Sequence, residues 1–212
     1  MQILHPFAGS VQAYAQELAE PDRYRPGGCP LCGAKEALIG HGFYGRTLVA
    51  EDFDGWIRVR RYLCRLCRRT VSLLPEFVLP YVRFAISVIG RYLEARLLES
   101  QTLGQAAQQA GQEQMPYQRG QGWVTRFRRQ ARWLSASLVA LTRAVAAPGV
   151  VSRALRMLQI AGWIRSHRFL FSQLRVHLLG WPRSLAPDGR SRRLASGNSL
   201  AGTHPHNTCV EG

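Results

Sequence analysis

Cys29-Pro30-Leu31-Cys32 and Cys64-Arg65-Leu66-Cys67 are the two stretches that decide how this chain folds. A two-residue spacer lets both thiolates of a pair point at one centre, so two pairs supply four soft ligands for one tetrahedral ion. Zinc suits four thiolates best, iron is the less favoured metal, and a metal-free cluster is the remaining alternative. Disulfides and a redox dithiol are disfavoured, because the chain has five cysteines, no signal peptide and no βαβ context around either pair.

The residues between the pairs predict a β-hairpin. Residues 38–50 and 56–63 are rich in strand-forming side chains, and Asp54-Gly55 between them is a turn signal. The hairpin would return the second cysteine pair to the first. We therefore predict a zinc ribbon over residues 26–75, whose small core depends on the metal for much of its folding free energy.

One side of the second strand is a candidate contact surface. Ile57 and Val59 face one way, and the opposite side carries Trp56, Arg58, Arg60 and Tyr62. That side can stack on bases or grip phosphates, so Arg58 and Arg60 are candidate DNA contacts. The equally favoured alternative is that this side of the strand packs against the helical part of the protein.

The remaining sequence predicts helices, so the expected fold class is α+β. One short helix is predicted over residues 11–18. After the ribbon, helices are predicted from about residue 83 and over residues 100–111, 117–132, 134–147 and 150–179. The predicted organisation is a lead-in, the zinc ribbon, a helix-turn-helix-like region, additional helices and a disordered tail, over residues 1–25, 26–75, 82–132, 133–182 and 183–212.

The charge distribution points to an anionic partner. The chain has 28 basic and 13 acidic residues, a formal net charge of +15. Residues 1–114 hold 13 basic and 11 acidic side chains, whereas residues 115–212 hold 15 and 2. Arginine binds phosphate in a planar fork, which favours nucleic acid over the competing anionic membrane surface. The longest apolar stretch contains Arg143 and Pro148, so we expect a cytoplasmic protein with no membrane partner.

A second motif lies at the start of the basic half. Thr102 and Gln105 fit a capping box at the beginning of a helix. The next predicted helix carries Trp123, Val124 and Phe127 on one face, and Gln and Arg side chains, which read base edges in the major groove, on the rest. The candidate DNA-reading residues are Gln118, Arg119, Gln121, Arg126, Arg128 and Arg129. The solvated face of an ordinary bundle helix is the alternative.

Three stretches together resemble a known group of proteins. They are the Cys-Pro-Leu-Cys-Gly run from Cys29, the His-Gly-Phe-Tyr-Gly-Arg run from His41, and residues 59–75. They resemble the amino-terminal zinc ribbon of insertion-sequence transposases and, more closely, a stand-alone bacterial group known only as a domain of unknown function. That group continues with Leu-Pro, a tyrosine and a helical Tyr-Gln-Arg/Trp-Val motif, which Pro80-Tyr81 and residues 117–124 match. The resemblance covers residues 25–135 and implies a DNA-binding, mobile-element protein.

The chain departs from that pattern at two places. Arg68 stands where such ribbons usually have glycine, which predicts strain, and Gly120 and Gly122 interrupt the predicted DNA-reading helix. A transposase nuclease needs three carboxylates to hold two metal ions, but only Asp188 and Glu211 follow Glu113.

We therefore expect a zinc-dependent DNA-binding protein that is not an enzyme and resembles the non-catalytic front of a transposase. Its expected partner is double-stranded DNA, with a transposase or another protein as the second candidate partner and no small-molecule substrate. A protein-interaction module built on the ribbon is the main alternative, and an enzyme completed by a partner's carboxylates is the third. As metal ligands, His41 and the tail residues His204, His206 and Cys209 are disfavoured against the four paired cysteines.

Overall fold

A computed structural model of the chain describes residues 1–7, 9–16 and 22–180, and these form an α+β fold. The strands are β1 (Gln2–His5), β2 (Leu38–Ala50), β3 (Phe53–Cys64) and β4 (Thr70–Pro75). The helices are α1 (Val11–Gln16), α2 (Ile86–Leu97), α3 (Leu103–Gln109), α4 (Tyr117–Ser137), α5 (Val150–Ala161) and α6 (Trp163–Leu174). The tail predicted to be disordered, residues 183–212, lies outside the described residues.

The four strands form one sheet in the order β1-β4-β3-β2. Strands β2 and β3 make the predicted antiparallel hairpin, from Leu38 opposite Cys64 to Ala50 opposite Phe53. Strand β4 pairs antiparallel with the last residues of β3. The hairpin is confirmed, and its long register carries the second cysteine pair back to the first. The predicted position of its turn is wrong: Asp54 and Gly55 lie in β3 opposite Val49 and Leu48, and the chain turns at Glu51-Asp52, because pairing continues to Ala50 and Phe53.

The amino-terminal lead-in differs from its prediction. Residues Gln2–His5 pair in parallel with β4, Gln2 lying opposite Ser72, and so complete the sheet. The predicted helix does begin at Val11, as α1. Four residues are too few to show an alternating pattern, and the free edge of β4 recruits them through backbone hydrogen bonding.

The sheet buries opposite faces at its two ends. Near the hairpin turn, Ile57 and Val59 pack with Leu48 in one apolar cluster. Near the cysteines, Tyr62 and Cys64 pack in a second cluster. Since side chains alternate along a strand, odd and even positions of β3 serve different cores.

The segment between β4 and α2 ties the sheet to the helices. The Val49 amide donates to the Arg83 carbonyl at 2.9 Å, and the Ala85 amide donates to the Val49 carbonyl at 2.8 Å. The Arg46 guanidinium donates to the carbonyls of Leu79 and Val82. Helix α2 therefore starts at a position that the hairpin fixes.

Helix α4 runs without a break through both glycines and ends near Ser137. The predicted separate helix over residues 134–147 is wrong, because its first residues finish α4 and a single 3-10 turn, Leu138–Ala140, follows. Leu141 and Val145 pack half-buried against the helical core as non-helical chain. The single helix predicted over residues 150–179 is also wrong, because Gly162, with φ of 83°, separates α5 from α6 and the last helix ends at Leu174.

The two glycines of α4 should respond oppositely to alanine. A Cβ at Gly120 would lie 2.1 Å from Tyr92 Oη, whereas a Cβ at Gly122 would meet no atom within 4 Å. We predict that Gly120→Ala costs about 1–3 kcal/mol of unfolding free energy through overpacking. The matched Gly122→Ala should add up to about 1 kcal/mol. Urea denaturation measures both, and equal effects would contradict the close α2–α4 contact.

Two buried histidines should make the fold sensitive to acid. Burial lowers the pKa of His167 from 6.5 to about 3 and that of His177 from 6.5 to about 4. The unfolded chain takes up these protons first, so stability is complete above pH 6.5 and falls as the pH drops towards the folded pKa values. The expected slope is about 1.4 kcal/mol per pH unit for each histidine. Urea denaturation across this window should show a shallower slope for His167→Leu, with His41→Leu as the matched surface control; identical profiles would refute the assignment.

Candidate metal centre and nucleic-acid interface

The two cysteine pairs fold into two turns with the same hydrogen bonds. In the first, the Gly33 amide donates to the Cys29 carbonyl at 2.8 Å, and in the second the Arg68 amide donates to the Cys64 carbonyl at 3.0 Å. Gly33 and Arg68 occupy equivalent positions with φ of 74° and 57°. Each turn, here called a knuckle, buries its first cysteine and leaves the second more accessible to solvent.

The four sulfur atoms converge on one point. Cys29 Sγ lies 3.8 Å from Cys67 Sγ, and Cys32 Sγ lies 3.7 Å from Cys64 Sγ. All four lie within 4.8 Å of one another. Tetrahedral coordination with bonds of about 2.3 Å requires sulfur separations of about 3.8 Å, so the cluster fits a four-thiolate metal site.

The backbone of the second knuckle favours a thiolate before any metal binds. A hydrogen bond from the Cys67 amide is the main cause that lowers the pKa of Cys64 to about 7. The Arg69 amide lowers the pKa of Cys67, but burial and the neighbouring thiols outweigh it and raise the value to about 11. A divalent metal binds thiolates, so its binding would release the remaining protons.

The candidate DNA-reading residues share the solvent side of α4. Trp123, Val124 and Phe127 are buried in the helical core, as predicted. The exposed residues of this helix include Gln118, Arg119, Gln121, Arg126, Arg128 and Arg129. Among the described residues, no carboxylate lies within 4.0 Å of any arginine in α4. The helix thus offers uncompensated positive charge to solvent.

The candidate residues of β3 separate into exposed and buried ones. Arg58 is exposed, whereas the Arg60 side chain is 16% accessible and binds Asp22 at 2.8 Å. Tyr62 is fully buried and donates its hydroxyl to Asp22, so it has no open ring face. Asp22 and Phe43 are two partners that the sequence analysis missed, because a register shift between Gly40 and Phe43 decides what lies opposite Arg60.

Comparison with known proteins matches part of the chain to a family. A domain of unknown function (DUF6431) matches residues 29–113, less than half of the chain, from the first knuckle to the turn after α3. No curated protein matches the sequence, and no solved structure does. The similarity to a domain of unknown function is therefore found, and kinship with transposases stays a prediction.

Removing one thiolate should release the metal. We expect Cys64→Ser to lose the bound ion and to unfold residues 26–75, because a buried ligand and part of a small core disappear together. Elemental analysis of the purified protein and circular dichroism measure the two effects. Cys209→Ser makes the same chemical change at the cysteine that belongs to neither Cys-x-x-Cys pair and serves as the control. Stoichiometric metal in Cys64→Ser would refute the ligand assignment.

Gly33 and Arg68 occupy equivalent positions in the two knuckles, and we expect glycine to be the more stable residue at both. Arg68 carries a side chain at φ of 57°, where the backbone favours glycine. We expect Arg68→Gly to raise the unfolding free energy of the metal-loaded protein by about 1 kcal/mol, and Gly33→Ala to lower it by a similar amount. Urea denaturation tests the pair. A less stable Arg68→Gly would show that the arginine side chain contributes more than its backbone strain costs.

Proposed function

We propose that this protein is a zinc-dependent DNA-binding protein that binds duplex DNA through the exposed face of α4. The observation that carries the proposal is this face itself, where glutamine and arginine side chains project together and no described carboxylate neutralises them. Glutamine reads adenine and arginine reads guanine or grips phosphate. The role corresponds to the non-catalytic front of a transposase, and we assign the chain no catalytic activity of its own.

Zinc is the metal that the donor set supports. Four thiolates are soft ligands that converge at tetrahedral separations. Such a cluster with a divalent ion carries excess negative charge, and four exposed cations surround the knuckles: Lys35, Arg65, Arg68 and Arg69. We expect the ion to be structural, because four protein ligands leave no open position for chemistry.

A helix-turn-helix reading of α3 and α4 is supported by their local geometry. The Gln105 amide donates to Thr102 Oγ1 and the Thr102 amide donates to the Gln105 side chain, which confirms the predicted capping box of α3. Gly111, with φ of 67°, ends this helix before the turn into α4. Near the start of α4, Gly122 has no neighbouring atoms within 4 Å of its Cβ position. A groove edge or phosphate can therefore approach the backbone closely there.

A protein partner is a second candidate that one observation favours. Leu66 at the tip of the second knuckle is 72% exposed, and Leu31 in the first knuckle is 37% exposed. Exposed leucines at neighbouring tips suit docking to an apolar patch of a transposase or another protein.

Among the described residues, no helix combines the length and the apolar character that crossing a bilayer requires.

Salt dependence of duplex binding tests the proposal. We expect zinc-loaded protein to bind duplex DNA, and the double change Arg128→Ala/Arg129→Ala to weaken binding. The slope of log K against log salt should become shallower by about 2 units, because each lost phosphate contact removes about 0.9. The double change Arg153→Ala/Arg156→Ala on α5 removes the same charge from exposed positions and is the control. Equal slopes for the two double variants, or no duplex binding at low salt, would contradict a binding role for α4.

A further inference from the structure

The exposed side of the β2–β3 hairpin holds an aromatic ring and a cation that the α4 interface does not use. Trp56 is 69% exposed, although it is the kind of large side chain that folding normally buries. Its indole lies across the backbone of Gly45, where a Cβ would be 3.1 Å from Cε3. The glycine on the facing strand therefore leaves room for the ring, most of which is open to solvent.

Arg58 follows Trp56 on the same face and lies over a second aromatic ring. It lies two residues along the same face of β3, about 7 Å from Trp56 by strand geometry. Its guanidinium carbon is 4.4 Å from the centre of the Phe43 ring, within cation-π distance. Within the described residues, no carboxylate lies within 4.0 Å of Arg58. By contrast, Arg60, whose guanidinium carbon lies 4.9 Å from the centre of the same ring, is bound to Asp22.

Charge on this face favours an anionic ligand. Asp54 is the next residue along the same side of β3, and Arg83 neutralises it at 2.7 Å. The face therefore combines an open indole, a stacked and unneutralised arginine, and no free carboxylate among these neighbours. Bases stack on exposed aromatic rings while arginine contacts the backbone, which is how single-stranded nucleic acids are bound.

We propose that Trp56 and Arg58 form a binding site for single-stranded DNA, with an unstacked base on the indole and a phosphate at the guanidinium. The inference rests on the proposed DNA-binding function but uses a surface separate from α4. The interior base pairs of a duplex cannot occupy the indole in this way, because their faces are already stacked on one another and exposing one costs unstacking energy. The ligand is thus a strand whose bases are free, such as one exposed where a duplex opens.

Single substitutions at Trp56 test the stacking contact. The probes are a short oligo(dT), which forms no secondary structure, and a relaxed circular duplex, which has no ends, both with the zinc-loaded full chain. Trp56→Ala should weaken oligo(dT) binding by about 5- to 150-fold, the usual effect of losing one stacked base, and leave duplex affinity unchanged. Trp56→Phe should retain most of the affinity, whereas Trp56→Leu should lose it. Ile160→Ala, at another exposed apolar residue, is the control.

Arg58 gives a second, electrostatic readout. Arg58→Ala should reduce the salt slope of oligo(dT) binding by about 0.7, the value for one phosphate on a single strand, and Arg153→Ala should not change it. Zinc content and circular dichroism confirm that each variant is folded.

Three results would overturn the proposal: unchanged oligo(dT) binding in Trp56→Ala, full retention in Trp56→Leu, or equal losses on oligo(dT) and duplex. The last would make the face part of the duplex interface. Duplex binding that is unchanged in Arg128→Ala/Arg129→Ala, while Trp56→Ala still loses oligo(dT) binding, would count against the proposed function and not against this site.

Discussion

The convergence of four thiolates is the constraint on which the rest of this fold depends. Cys29 and Cys64 are both buried in the small cluster under the knuckles, so the site is part of the core as well as a place for an ion. The second knuckle is also the connection between β3 and β4, and β4 recruits β1. At the other end of the hairpin, Val49 exchanges backbone hydrogen bonds with Arg83 and Ala85 directly before α2. The cysteine cluster therefore fixes one end of β2 and β3, and the other end of this hairpin fixes the position at which α2 begins.

The packing of the helices determines which side of α4 faces solvent. Helix α2 brings Tyr92 against Gly120, and this close contact determines which side of α4 is buried. Trp123 stacks edge-on against both Tyr92 and Phe84, which anchors the first turns of α4 to α2 and to the connecting segment. The opposite side carries the arginines. Gly120 is thus a packing requirement, and the interruption expected from its low helix propensity is offset by tertiary contact.

Local chemistry made several features predictable from sequence alone. The cysteine spacing, the hairpin between the pairs and the capping box at Thr102 each depend on residues close together in the chain. Features that depend on distant partners were missed. The edge pairing of β1, the non-helical path of Leu141 and Val145 over the core, and the burial of Tyr62 beneath Asp22 all depend on what lies across the fold. The spacing of apolar residues carries no information about such distant neighbours. For this reason the sequence analysis predicted a helix over residues 134–147 and placed Tyr62 on an exposed face.

Hydrogen-deuterium exchange of the zinc-loaded protein, with and without duplex DNA, tests the central claim most directly. If α4 binds DNA, added duplex slows exchange from Tyr117 to Arg129 and leaves α5 unchanged. Protection confined to α5 and α6, or no protection on α4 at a DNA concentration that saturates binding, would contradict it.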